Sequence, residues 1–177
     1  MFKELPLIED NKKTVTLFYP YIPKTALITL KKVFSTRWVG QGPLVDKLEK
    51  VFSSKFADDM PSIAVGSGTD ALHLAYILAD IKKDDEILCP LFTCTATNIP
   101  LLYIGAKLVF VDINSSTMNM DIEIIKKSIT KKTKAIVFVN YGGLPCDLIE
   151  LNKIAKKHNI ILIQDADLEY DPEDYRK

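Results

Sequence analysis

Arginine is nearly absent from this chain of 177 residues: Arg37 and Arg176 are the only two, and lysine supplies the rest of the 23 basic residues. Few side chains are therefore available for bidentate binding of carboxylates or phosphates. Acidic residues also number 23, so no net charge attracts nucleic acid or an anionic membrane. The composition favours a small-molecule ligand and predicts no nucleic acid and no membrane among the partners.

Cysteine pairs and long apolar runs are missing as well. Cys89, Cys94 and Cys146 show no Cys-x-x-Cys spacing, and we find no signal peptide. These absences predict a reduced, cytoplasmic protein. His73 and His158 are the only histidines, and they form no dense cluster with the cysteines, so no metal site is expected.

The 47% of hydrophobic residues is ample for a packed core. Apolar residues at helical spacing predict helices over residues 24–36 and from Pro43 onwards. From residue 62 onwards, short apolar runs alternate with helical patterns, which is typical of an α/β fold with a parallel sheet. The predicted strands are 62–65, 86–89, 107–112, 135–140 and 160–165. The predicted helices between them are 69–79, 95–104, 122–129 and 148–157.

A turn of Gly66, Ser67, Gly68 and Thr69 joins the first predicted strand to a helix. Unpaired N–H groups and a partial positive charge at a helix N-terminus bind anions, and glycine lets the backbone approach them. Ser67 is a natural N-cap, with Asp70 at capping-box spacing, so a capped helix without a ligand is the alternative. Ligands of parallel sheets bind at the carboxyl ends of the strands. Polar or glycine-rich turns at 66–69, 90–94, 140–143 and 165–167 therefore favour a phosphate site.

Seven motifs resemble, in order, those of the DegT/DnrJ/StrS-type sugar aminotransferases, a pyridoxal phosphate (PLP) family. They are Trp-Val-Gly-Gln-Gly-Pro43, Gly-Ser-Gly-Thr-Asp-Ala-Leu-His-Leu74, Pro-Leu-Phe-Thr-Cys-Thr-Ala-Thr97, Gly-Ala-Lys-Leu-Val-Phe-Val-Asp112, Thr-Lys-Ala-Ile-Val137, Tyr-Gly-Gly-Leu-Pro-Cys-Asp147 and Gln-Asp-Ala166.

The resemblance implies a truncated large domain of the aspartate-aminotransferase-like fold (PLP fold type I), three layers around a mostly parallel α/β sheet. We expect an N-terminal helical segment over 1–60, a partial PLP-binding domain over 61–177, and no small C-terminal domain. The full-length form would be a homodimer. In that fold the strand 62–65 pairs with strands that would lie beyond residue 177, which leaves two unpaired strand edges.

The family also implies a cofactor site. Gly68, Thr69 and Asp70 resemble the residues whose backbone N–H groups, with the threonine hydroxyl, hold the cofactor phosphate. Asp165 resembles the carboxylate that pairs with the pyridinium nitrogen, which makes PLP an electron sink.

The contact to the cofactor ring departs from the family pattern. Cys94 stands where many relatives have an aromatic residue, so either this thiol or Phe92 would stack on the ring. Leu168 replaces a histidine or glutamine near the phenolic oxygen. His73 could face the pocket but is expected to pack in or on its helix. Trp38 resembles a residue at the mouth of the active site, although a buried anchor is an equal alternative.

The implied reaction is PLP-dependent transfer of an amino group from glutamate to a nucleotide-linked keto-sugar, for cell-surface polysaccharides or antibiotics. The family's Schiff-base lysine lies well downstream of the aspartate, whereas the only lysine after Asp165 is Lys177. We therefore assign no catalytic residue to this chain. Two alternatives stay open: a PLP-dependent sugar dehydratase of the same family, and a non-catalytic product of a truncated or split gene.

Overall fold

A computed structural model describes residues 22–165 of the chain. The chain divides after Lys47 into two compact units.

The described part of the chain begins with two helices, α1 at Ala26–Thr36 and α2 at Pro43–Phe56. Arg37 ends α1 in the left-handed conformation, with φ of 60°, and its N–H donates to the carbonyl of Phe34. Proline suits the start of α2 because its fixed φ is helical and its missing N–H would have no partner there. Both predicted helices are confirmed.

Trp38 lies between these helices and is 60% exposed, so it is not a buried anchor. Its indole N–H donates to the carbonyl of Gln41.

The remainder alternates helices and strands, as the apolar pattern predicts. The strands are β1 at Glu86–Pro90, β2 at Lys107–Val111, β3 at Thr133–Val139 and β4 at Ile161–Asp165. The helices are α3 at Gly68–Leu78, α4 at Thr95–Ile104, α5 at Ile122–Ser128 and α6 at Leu148–His158. The four described strands are parallel and lie in the order β2-β1-β3-β4, so that among them β3 has a neighbour on each side and β4 lies at the edge.

The predicted strand at residues 62–65 is wrong: this segment forms no strand in the structure. A strand exists only through backbone pairing with a neighbour, and no described strand pairs with it. One of its N–H groups, that of Ala64, instead donates to the carboxylate of Glu49 at 2.9 Å.

Helices cover both faces of the sheet, which confirms the three-layer prediction. On one face Tyr76 of α3 and Leu101 of α4 pack with β-strand residues such as Val137. On the other face Ile125 of α5 and Leu151 of α6 pack against a second apolar cluster. Burying one such aliphatic side chain stabilises the fold by about 1.5–3 kcal/mol, so these two layers hold the strand ends in place.

Candidate functional site

The carboxyl ends of the four strands lie at one edge of the sheet because all four are parallel. The strands end at Pro90, Val111, Val139 and Asp165. In parallel sheets ligands bind just outside this edge. The predicted ring-contacting residues and Asp165 follow or end two of these strands.

The glycine-rich turn caps α3 as its sequence predicts. Ser67 is the N-cap, and its Oγ accepts the backbone N–H of Asp70 at 3.1 Å. The same hydroxyl donates to Oδ2 of Asp70 at 2.8 Å. The Asp70 N–H is therefore engaged within the turn. Gly68 and Thr69 occupy the first two helical positions, whose N–H groups have no acceptor inside a helix.

Neither the backbone conformation nor the packing around Gly68 requires a glycine at this position. Its φ is not positive, so its backbone conformation is open to any residue. A Cβ built on Gly68 would meet no atom within 4 Å, so packing does not require glycine either. The space in front of this backbone is open, which is the arrangement that an anion approaching the first turn of α3 needs.

Asp165 ends β4 and is held by α4. The hydroxyl of Thr97 donates to Oδ2 of Asp165 at 2.6 Å, although the two residues lie 68 positions apart in the chain. Thr97 is completely buried. Its Oγ1 also lies 2.7 Å from Oγ1 of Thr93, in the turn after β1.

Helix α3 also contacts Thr97. The hydroxyl of Tyr76 in α3 donates to the backbone carbonyl of Thr97 at 2.8 Å. Burial raises the pKa of Tyr76, and the nearby negative charge of Asp165 raises it further. The phenol therefore stays protonated and keeps its role as a donor. Thr97 thus connects α3, the turn after β1 and the end of β4.

The predicted ring-contacting residues lie in that turn. Phe92 is partly exposed, and its ring lies 4.9 Å from that of Tyr141, with the planes inclined by 47°. Cys94 is exposed at the N-cap of α4, where its side chain makes no capping hydrogen bond. Tyr141 follows β3 by two residues, so an aromatic pair bridges the turns after β1 and β3.

Tyr76, Thr93, Thr97 and Tyr141 have no individual role in the sequence-based prediction. Thr93 and Tyr141 do lie in two of the turns that favour a phosphate site, and the four-residue spacing of Thr93 and Thr97 across the start of α4 is a further signal. His73 packs edge-on against Tyr103, with ring centroids 6.0 Å apart, in agreement with the packed alternative. Leu168 lies outside the described residues.

Among the described residues, no group of three or more histidine, cysteine, aspartate or glutamate side chains could hold a metal ion. No helix within 22–165 is long and apolar enough to cross a membrane.

A cleft of about 370 Å³ lies apart from these residues, at the N-terminal ends of α5 and α6. Its carboxylates include Asp121 and Asp147, which already accept backbone N–H groups as N-caps. None of the predicted site residues lines this cleft, so we locate the candidate site around Thr97 instead.

Comparisons with known proteins agree with the geometry. The sequence model of the DegT/DnrJ/EryC1/StrS aminotransferase family matches residues 20–167. The spore coat polysaccharide biosynthesis protein SpsC of Bacillus subtilis is 32% identical over 160 residues, which are 90% of this chain and 41% of SpsC.

Two solved structures are also similar. The aminotransferase from Psychrobacter cryohalolentis is 33% identical with a TM-score of 0.75, over 82% of this chain and 37% of that one. A GDP-4-keto-6-deoxymannose-3-dehydratase with a trapped PLP-glutamate geminal diamine is 32% identical with a TM-score of 0.78, over 86% of this chain and 41% of that one. The chain thus spans about two fifths of the length of the relatives that it matches.

Proposed function

Since the chain belongs to the DegT/DnrJ/EryC1/StrS aminotransferase family, we propose that it supplies the PLP-binding part of an enzyme that acts on nucleotide-linked keto-sugars. The observation that carries this proposal is the position of Asp165. Its carboxylate ends a parallel strand and is held by buried Thr97, the residue to which α3 and the turn after β1 are also joined.

The residues present fit the cofactor. The open backbone at Gly68 and Thr69, together with the Thr69 hydroxyl, would hold the phosphate, and Asp70 would support the turn through Ser67. Asp165 would pair with the ring nitrogen. When bound, PLP with a protonated ring nitrogen supplies an electron sink for chemistry at the carbon next to an amine.

The ring would lie against the turn after β1. Phe92 is already paired with Tyr141, whereas the thiol of Cys94 is exposed and makes no capping hydrogen bond. We therefore propose Cys94 for the ring face, with Phe92 and Tyr141 as the aromatic wall beside it.

For the complete enzyme we propose transfer of an amino group from glutamate to a keto-sugar nucleotide, in the synthesis of a cell-surface polysaccharide. The names of the Psychrobacter aminotransferase and of SpsC support this reaction and this setting. The similarity to a 3-dehydratase supports a second candidate, PLP-dependent sugar dehydration. Homodimer formation and a cytoplasmic location stay predictions, as does the non-catalytic alternative.

Binding of PLP and of inorganic phosphate, each measured by calorimetry, tests the proposal. Gly68→Val should abolish both, because its side chain fills the space in front of the turn. Asp165→Asn should weaken PLP binding by about tenfold, a loss of about 1.4 kcal/mol, and leave phosphate binding unchanged.

Matched controls are Gly40→Val, at another glycine whose Cβ would meet no atom, and Asp112→Asn, at the residue that follows β2. Neither should change the affinity for either ligand. Wild-type chain that binds no PLP would reject the proposed function. If Gly68→Val and Asp165→Asn weakened the binding of both ligands equally, the phosphate role of Gly68 and the ring-nitrogen role of Asp165 would be wrong.

A further inference from the structure

We propose that Thr93 and Thr97 form a two-hydroxyl relay that orients the Asp165 carboxylate and joins it to the turn carrying Phe92 and Cys94. Both threonines are positioning residues. The inference rests on the proposed function, in which Asp165 pairs with the cofactor ring.

The direction of the hydrogen bonds follows from counting protons. A hydroxyl has one hydrogen to donate, and an ionised carboxylate can only accept. Thr97 gives its hydrogen to Oδ2 of Asp165 at 2.6 Å. The contact of 2.7 Å between the two threonine hydroxyls must then be donated by Thr93. Two hydroxyls thus point in series towards the carboxylate, an arrangement in which each bond strengthens the next and the ionised form is favoured.

Thr97 is well placed to orient the Asp165 carboxylate. It is fully buried in the first turn of α4, and its own backbone carbonyl accepts the hydroxyl of Tyr76. A β-branched side chain in a helix has few χ1 rotamers, which limits the directions in which the Thr97 hydroxyl can point. The carboxylate at the edge strand β4 is therefore held from α4 as well as by its own strand.

Thr93 connects Thr97 to the turn after β1, because Thr93 lies in that turn between Phe92 and Cys94. The amide of Asn98 adds a second connection there, donating from Nδ2 to the carbonyl of Pro90 at 3.0 Å. The relay would thus keep the ring-facing turn and the carboxylate in a fixed spatial relation.

The phenol of Tyr76 on α3 interacts electrostatically with Asp165, and the thiol of Cys89 in β1 interacts in turn with Tyr76. Burial raises the pKa of Cys89 to about 12 and also raises that of Tyr76. Both groups stay neutral in the acidic range, so a change in the titration of Asp165 in that range reports the relay.

The first experiment needs no ligand. In the full chain labelled with ¹³C at aspartate carboxyl carbons, Asp165→Asn identifies the Asp165 resonance, whose pH midpoint is then measured. Thr97→Val should raise the midpoint by about one pH unit, because it removes a hydrogen bond to a charged group. Thr93→Val should raise it by a smaller amount. Thr97→Ser, which keeps the hydroxyl, should leave it unchanged.

Thr95→Val is the matched control, since Thr95 lies exposed in the same helical turn. The relay would be refuted if Thr97→Val left the midpoint unchanged, if Thr97→Ser failed to restore it, or if Thr95→Val moved it equally. Should Thr97→Val fail to fold, the graded comparison of Thr93→Val with Thr95→Val gives the same decision.

The second experiment compares PLP, its analogue with carbon in place of the ring nitrogen, and inorganic phosphate. Thr97→Val should weaken PLP binding by about tenfold and leave the affinities for the analogue and for phosphate unchanged, because Asp165 acts only on the ring nitrogen. An equal loss of affinity for all three ligands would show that the role of Thr97 is merely structural. If wild-type chain did not prefer PLP to the carbon analogue, the role proposed for Asp165 would fail, whereas the carboxyl titration would still decide on the relay.

Discussion

The three thiols of the chain differ in what surrounds them. Cys89 and Cys146 are buried, and burial raises the pKa of Cys89 to about 12 and that of Cys146 to about 11. Cys146 also donates from Sγ to the carbonyl of Val139 at 3.2 Å. Cys94 is exposed at the start of α4. Only thiolates react readily, so reactivity should follow this difference.

We expect a disulfide reagent at about pH 8 to modify one thiol of the folded chain rapidly, and the other two only on unfolding in urea. Cys94→Ser should remove the rapid phase, whereas Cys146→Ser should leave it unchanged. Under the proposed ring contact, PLP should slow the rapid phase. Two rapid phases in the folded chain would contradict the burial of Cys89 or Cys146.

For individual residues, the sequence predicts the contacts that depend on local spacing along the chain. The N-cap role of Ser67 is confirmed, and a local pattern can predict it because Ser67 Oγ and the Asp70 N–H that it accepts lie three residues apart. The contact between Thr97 and Asp165 spans 68 positions, and the pair of Phe92 and Tyr141 also joins separate turns. Such contacts depend on how the helices pack on the sheet, and no local pattern encodes them.

Among the elements, residues 62–65 show how far a strand depends on its neighbours. An apolar run bounded by turn residues predicts a strand, and four of the five strands predicted this way are confirmed. The helix predicted at 95–104 matches α4 exactly in its bounds. The fifth run, residues 62–65, has the same pattern but has no pairing partner among the described strands. Its own sequence cannot show this, because pairing depends on the neighbouring strand.

This difference should be visible in backbone hydrogen exchange. Amides of β3, which has a strand on each side, should exchange slowly, and those of Ser62, Ile63 and Val65 should exchange quickly. Ala64 should be slower than its neighbours by about tenfold, because its N–H donates to Glu49.

Glu49→Ala should remove the protection of Ala64, whereas Glu49→Gln keeps an acceptor oxygen and should retain most of it. Exchange can be read residue by residue from two-dimensional NMR spectra. Protection of the whole segment 62–65 equal to that of β3 would mean that this run is paired after all, and that the sheet has another member.

On the scale of the whole molecule, apolar side chains remain exposed in α2. Leu48 is 57% exposed, and Phe52 and Phe56 are each 48% exposed. They recur every four residues on one face of the helix, and the two phenylalanine rings lie 5.1 Å apart. No residue of α2 is buried. A continuous apolar stripe of this kind on a protein surface is typical of an interaction site.

We therefore expect the chain to self-associate through this stripe, with a sedimentation coefficient that rises with protein concentration. Phe52→Glu should move the distribution towards monomer, because a carboxylate in a buried contact loses its hydration without gaining a partner. Ser54→Glu adds the same charge two residues away at an exposed position and should leave the distribution unchanged. Co-expression with the remaining part of a relative should compete with self-association if the stripe normally packs against that part. A wild-type chain that stays monomeric at all concentrations would show instead that these side chains are tolerated in water.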